Sequence, residues 1–232
     1  MEAPFSPSVS TQAAGVESAR RMGPIGIFGG TFDPIHHGHL RTALELLQRL
    51  SLAQVLFVPS ARQPLRDPSV APVSTRLAMV RAAVRGEPRF AVDTRELERP
   101  GPSYTVDTLE SLRGDHGQRS LCLLLGMDAF LSLPRWRRWE DLPGLANIVV
   151  AHRPGWRPPG QGALADLLER CGAESAVDLH ETGAGRVLVT PVTQIDVSAS
   201  QVREFTATGE DPRYLVPDSV RDIILETECY AR

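Results

Sequence analysis

From Ile25 onward the apolar residues fall into two kinds of run. Short blocks without alternation, Ile25-Gly26-Ile27-Phe28, Val55-Leu56-Phe57-Val58, Leu121-Cys122-Leu123-Leu124-Leu125 and Asn147 to Ala151, are strand-sized and lack a polar face. That is the pattern of parallel strands covered on both sides. Between them, Leu40, Leu44, Leu47 and Leu50 recur at helical spacing from Gly38 to Leu50. Leu77, Val80 and Val84 do the same in a helix that Ser74 can cap and that runs to Arg85, and Thr105 to Arg113 predicts another. Phe90 to Val92 fits a short strand, and Val187-Leu188-Val189 a late one feeding Ser198 and a final pair of helices. The alternation predicts βαβ units: an α/β fold, a Rossmann-like parallel sheet with helices on both faces, in one domain over residues 23–232. In such sheets ligands bind beyond the carboxyl ends of the strands, where the polar clusters of this chain fall.

Composition narrows the field. With 25 Lys and Arg against 28 Asp and Glu in 232 residues, the net charge is −3. That balance argues against a dedicated nucleic-acid binder, which needs a strongly basic face, while leaving room for small anionic substrates. No apolar run approaches the roughly 18 residues that span a bilayer, so no membrane partner is expected. Cys122, Cys171 and Cys229 form no CxxC pair and no even framework, as in a reduced cytoplasmic protein. Residues 1–22, rich in Ser, Ala and Pro, read as a disordered extension; Arg20 and Arg21 leave an organelle transit peptide as the minor alternative. Gly155 to Gly160 reads as a Pro/Gly surface loop.

Three of the six histidines sit in one strand-to-helix loop, Gly29-Gly30-Thr31-Phe32-Asp33-Pro34-Ile35-His36-His37-Gly38-His39. Paired glycines let a ligand approach the backbone, and the helix start offers unpaired N–H groups and a positive dipole end. No Gly-Lys-Ser/Thr or GxGxxG pattern is present. His36 and His39 can project together at a phosphate, gaining charge as the transition state does, with Gly38 leaving space for a nucleotide. A His36/His37/His39 metal site and roleless histidines are the alternatives, the former without a completing ligand nearby. A second cluster, Val197-Ser198-Ala199-Ser200-Gln201-Val202-Arg203, reads either as a capping box with an exposed arginine or as a phosphate-closing element. In a third, Gly126-Met127-Asp128, the carboxylate can take ribose hydroxyls or cap a helix. Trp136, flanked by Arg135, Arg137 and Arg138, can stack a planar ring or simply pack.

The first run resembles the GTFDPxHxGH signature of the nucleotidyltransferase superfamily, with HxGH as His36-His37-Gly38-His39, and Ser198 to Arg203 is similar to its ISxTxxR element. Arg95-Glu96-Leu97-Glu98-Arg99-Pro100-Gly101-Pro102-Ser103-Tyr104-Thr105 and the Asp128 to Trp139 region resemble segments of the bacterial nicotinate mononucleotide adenylyltransferases. The likeness runs from about Ile25 to Tyr230.

That resemblance implies a sheet of the nucleotidyltransferase type and a reaction of NAD biosynthesis. ATP and nicotinate mononucleotide, with Mg²⁺, give nicotinate adenine dinucleotide and pyrophosphate. It implies His36, His39 and Arg203 as catalytic residues and an ATP site of Gly29, Gly30, Thr31, Phe32, Gly126, Asp128, Ser198 and Ser200. The mononucleotide would meet Arg66, Thr105, Val106, Trp136, Arg137 and Arg153, with no metal ligand from the chain itself. The sequence departs from the pattern at Ser60 to Arg66, where Leu65 stands in place of an imidazole. Arg137 near the pyridine ring predicts acid over amide. Adenylation of another phosphorylated acceptor, such as phosphopantetheine, and a noncatalytic nucleotide-sensing domain are the competing readings, and a homodimer is left open.

Overall fold

The computed structural model describes residues 23–65, 67–152, 159–193 and 195–231. Six strands, β1 (Ile25–Gly30), β2 (Gln54–Pro59), β3 (Phe90–Val92), β4 (Leu121–Gly126), β5 (Asn147–His152) and β6 (Val187–Pro191), form one sheet in the order β3-β2-β1-β4-β5-β6. Every pairing is parallel. This is the doubly wound order, with its switch point between β1 and β4. The helices are α1 (His37–Arg49), α2 (Val73–Val84), α3 (Arg95–Glu98), α4 (Thr105–His116), α5 (Met127–Leu131), α6 (Leu142–Leu145), α7 (Ala163–Cys171), α8 (Ala176–Glu181), α9 (Ala199–Ala207) and α10 (Asp218–Thr227). None among the described residues is long and apolar enough to cross a membrane.

The absence of alternation in the strands is explained by two cores. Phe28, Phe57, Leu124 and Val149 point to one face and are covered by Leu46 and Leu47 of α1, Met79 and Val80 of α2, Val202 of α9, and Val220 and Ile224 of α10. Ile27, Val58, Leu123, Leu125 and Val150 point to the other, under Leu109 and Leu112 of α4, Phe130 of α5, Leu142 of α6 and Leu167 of α7. Both faces being apolar, the strand blocks are almost free of polar positions, buried Asn147 at the start of β5 being the exception among them.

Helix edges differ from expectation in two informative ways. Ser74 does not cap α2, which starts at Val73 with Pro72 as its N-cap and no side-chain cap bond. Of the expected stripe Val80 and Val84 are buried and Leu77 only partly so, and Arg76 and Met79 join the buried face of α2. In α1 the buried set includes Glu45. Its carboxylate pairs with Arg49 at 2.6 Å and accepts the Thr193 N–H at 3.0 Å, tying the segment that leaves β6 to α1. That tie aims the approach to α9. Residues 1–22 lie outside the described residues, as does most of the Gly155 to Gly160 loop.

Candidate active site

Pairing of β1 with β4 covers Ile25 to Ile27 against Leu121 to Leu123 and goes no further, although the strands continue to Gly30 and Gly126. The carboxyl ends of the two central strands thus border a crevice at the switch point. At its mouth a Cβ added to Gly29 or Gly126 would meet nothing within 4 Å, so the backbone is open there. Gly38 is different: its Cβ would lie 3.0 Å from the His36 Cε1 and Nδ1 atoms and 3.1 Å from Val197. The missing side chain at Gly38 is what admits the His36 ring and Val197 so close to the start of α1.

His36 is the N-cap residue of α1 and is buried. Its ring stacks on His39 with centroids 3.7 Å apart, and the His36 backbone N–H donates to His39 Nδ1 at 3.3 Å. Burial, with a smaller contribution from His37, holds His36 well below the usual imidazole range, at about 4. At neutral pH it is uncharged, so it acts as a neutral hydrogen-bonding ring rather than one that gains charge readily. Its Nδ1 is buried without a partner. An unpaired buried nitrogen is costly unless a ligand or water meets it, and here it lies in the loop that frames the crevice.

Phe32 takes a left-handed backbone, φ 49°, yet is 2% exposed. Its ring packs on His39, Phe57 and Phe28 at centroid distances of 5.2, 5.9 and 6.1 Å. Such a conformation costs about 1 kcal/mol or more in a non-glycine residue and is held by that packing. Phe32 can therefore serve an anion through its backbone only.

The second cluster closes on the first. Ser198 is the N-cap of α9, its hydroxyl accepting from Gln201 N at 3.2 Å and lying 3.0 Å from the Ser200 hydroxyl. Arg203, one turn on, donates from Nη1 to the Asp33 carbonyl at 2.7 Å. A cation is thus set against the glycine–histidine loop. Asp128 is exposed in the first turn of α5, whose N-cap is Gly126, so the capping alternative for Asp128 falls away.

A further set of groups lies at the start of α4. Thr105 and Val106 open that helix, whose N-cap Tyr104 provides no side-chain cap bond; Val106 is fully buried, so only its backbone is on offer. The Arg137 guanidinium sits 4.6 Å over the Tyr104 ring, and Arg138 pairs with Glu110 of α4 at 2.9 Å. Trp136 is half-buried, with its indole N–H donated to Ser132 Oγ at 3.2 Å. Both sets are joined through β2: Ser60 N–H donates to the Gly30 carbonyl at 2.9 Å, and Ala61 N–H to Ser103 Oγ at 3.1 Å. Leu65 is about half exposed on the same loop. Arg66 and Arg153 lie outside the described residues.

Three residues of this region escape a reading of the sequence. Arg76 is fully buried, and its guanidinium donates to carbonyls of both central loops. The Asp33 carboxylate accepts from Val70 N–H at 2.7 Å and Ala71 N–H at 3.1 Å, and from the Tyr230 hydroxyl at 2.7 Å. A signal existed for Arg76: it shares the apolar stripe with Val73, Met79 and Val80. Nothing local marks Tyr230 as a partner of Asp33.

A doubly wound sheet with a glycine–histidine loop at its switch point, faced by a cation from a second helix start, is the architecture of an α/β nucleotidyltransferase. The model of the cytidylyltransferase-like family matches residues 27–205. A probable nicotinate-nucleotide adenylyltransferase of Aeromonas hydrophila subsp. hydrophila is 45% identical over 207 residues, covering 89% of this chain and 97% of that one. Another, of Marinobacter nauticus, is 48% identical over 196 residues, covering 84% and 90%. This chain belongs to the nicotinate-nucleotide adenylyltransferases within the cytidylyltransferase-like family. The fold is shared with the Plasmodium falciparum nicotinic acid mononucleotide adenylyltransferase complexed with NaAD, with TM-score 0.67, 16% identity and coverage of 90% and 97%. It is shared too with the crystal structure of a putative nicotinate-nucleotide adenylyltransferase from Vibrio parahaemolyticus, with TM-score 0.60, 17% identity and coverage of 90% and 96%.

Proposed function

We propose that this protein transfers the adenylyl group of ATP to nicotinate mononucleotide, releasing pyrophosphate and forming nicotinate adenine dinucleotide for NAD synthesis. The observation that carries the reading is the shared wall of the crevice. The Gly30 to Ser60 hydrogen bond sets the loop read as triphosphate-binding directly beside the loop that leads to Tyr104 and Arg137. Two anionic substrates held on those neighbouring loops would bring their reacting phosphates together.

The mononucleotide phosphate, with a second pKa of about 6, is largely ionised at neutral pH. One of its oxygens attacks the α-phosphorus directly; the bond from that phosphorus to the bridging oxygen breaks, and pyrophosphate leaves with the electron pair. No protein base is needed. His36 and His39 donate hydrogen bonds to phosphoryl oxygens, Gly29 and Gly126 leave the backbone open to the nucleotide, and Asp128 receives the ribose. Ser198, Ser200 and the start of α9 bind the triphosphate tail, and Arg203 offsets the charge gathering on the leaving pyrophosphate. The nicotinate ring stacks on Trp136, and its carboxylate takes backbone N–H groups at Val106 and Arg137. No three His, Cys, Asp or Glu side chains gather into a metal-binding group among the described residues. Mg²⁺ would enter as part of the ATP substrate and help offset the charge of its phosphates. The three unpaired cysteines suit a reducing cytoplasm.

The test is pyrophosphate release by the purified protein with Mg·ATP and, in parallel, nicotinate mononucleotide, nicotinamide mononucleotide or phosphopantetheine. Release with the first supports the reading. Release with phosphopantetheine alone overturns the acceptor assignment, and silence with all three overturns the catalytic one.

A further inference from the structure

Arg76 is the largest side chain that the core encloses completely, and it stands on α2, outside every motif that drew attention to the crevice. Its Nη1 donates to the Thr31 carbonyl, one residue beyond β1. Its Nη2 donates to the Ser60 carbonyl at 2.9 Å and, more loosely, to the Ala61 carbonyl at 3.4 Å, just beyond β2. One rigid fork thus grips the loops at the ends of two adjacent strands, and Ser60 and Ala61 are themselves bonded to Gly30 and Ser103. The opposing charge is supplied by Asp33, which spans the same gap in the other direction by accepting the Val70 and Ala71 N–H groups. An apolar residue of similar volume would fill the core as well. A cation taken out of water is expensive, and here its two Nη groups go to backbone carbonyls of both loops while Nε is buried without a partner.

We propose that Arg76 is a positioning residue: it locks the triphosphate loop to the acceptor loop, so that a single guanidinium sets the separation across which the adenylyl group travels. This rests on the adenylyl-transfer reading above. The interaction is with the framework rather than with either substrate alone. Losing it therefore costs alignment of the two when both are bound and leaves each one's own contacts in place. Lysine keeps the charge but not the fork, so it cannot hold Thr31 and Ser60 together with the same geometry.

The experiment compares wild type with Arg76→Lys. Calorimetry measures Kd for a non-hydrolysable ATP analogue with Mg²⁺ and, separately, for nicotinate mononucleotide; pyrophosphate release gives kcat, and a thermal melt reports folding. The expected result is a kcat lower by about tenfold or more, with each separate Kd moved by less than about threefold and a single melting transition retained. A kcat per folded molecule within about twofold of wild type would mean that Arg76 only stabilises the core, and a loss confined to one substrate's Kd would mean a local role; either overturns the proposal. If the lysine variant does not fold, amide hydrogen exchange on the wild type decides. The ATP analogue alone should slow exchange in a peptide spanning Ser60 to Ala71 by about threefold, and no change there overturns the coupling. That arm uses no acceptor, so it separates failure of the coupling from failure of the acceptor assignment.

Discussion

Replacing Gly38 by alanine adds one methyl group at a crowded point of the crevice wall. That carbon would sit 3.0 Å from two atoms of the His36 ring and 3.1 Å from Val197, about 0.6 Å inside an ordinary van der Waals separation. His36 is 6% exposed and stacked on His39, so its ring cannot swing away without breaking that stack. Overpacking of this kind costs about 1–3 kcal/mol. Alanine in place of glycine within a helix returns about 1 kcal/mol, leaving a net loss of roughly 0–2 kcal/mol. At about 2–4 °C per kcal/mol for a chain of this size, the melting point should fall by at most about 8 °C. Activity should fall much further, because a displacement of several tenths of an ångström falls on both His36 and the entry to α9, which carries Arg203; a loss in kcat of about tenfold or more is expected. The assay pairs a thermal melt with pyrophosphate release on the same preparation. Gly114→Ala is the control. It lies in α4 with nothing within 4 Å of its Cβ, and should gain about 0.5–1 kcal/mol without altering turnover. A Gly38→Ala protein with wild-type kcat and melting point would refute the reasoning.

Burial of neutral His36 should also be visible as acid sensitivity. Its folded value of about 4 lies below the ordinary imidazole value of 6.5, so as pH drops through that window the unfolded chain takes up a proton that the folded protein refuses. Urea titrations at pH 7.5 and pH 5 should show a loss of about 2 kcal/mol in wild type that His36→Asn lacks; equal losses in both would discard the assignment. Arg203→Met removes both the hydrogen bond to Asp33 and the cation over the loop, and kcat should drop at least about tenfold while the melting curve changes little. Unaltered turnover would remove Arg203 from the mechanism. With Arg137 held over Tyr104, nicotinate mononucleotide should be preferred to nicotinamide mononucleotide in kcat/KM, and Arg137→Gln should narrow the ratio by about tenfold. Equal efficiency of the two substrates in wild type would count against the arginine.

Much of the frame can be read directly from residue order. The apolar blocks at Val55 and Leu121 run up to Pro59 and Gly126, where β2 and β4 end, while β1 continues two residues beyond the block Ile25 to Phe28, to Gly30. Short helices such as α3 and α5 leave too few residues for any periodicity to show, and α7 and α8 fall in a stretch that carried no motif. The nearness of Arg203 to the histidine loop was legible only because both belong to known signatures; the Asp33 carbonyl that seats it could not be inferred from either. Arg76 escaped for a physical reason. A charged side chain on a helix normally lies in water, and what reverses that preference here is a set of carbonyl groups from two loops upstream of the helix. The crowding at Gly38 could not be inferred from spacing either, since part of it comes from Val197, far along the chain.

The bonds that converge on Asp33 also give the site an order in time. Arg203 reaches the Asp33 carbonyl across 170 residues of sequence, and the Tyr230 hydroxyl reaches its carboxylate across 197. During synthesis the histidine loop emerges shortly before its neighbours on β2. The groups that brace it follow only 170 and 197 residues later. A ribosome-bound chain can therefore pair its central strands while the catalytic pocket is still unfinished, and competence for turnover comes only when α9 and Tyr230 have docked.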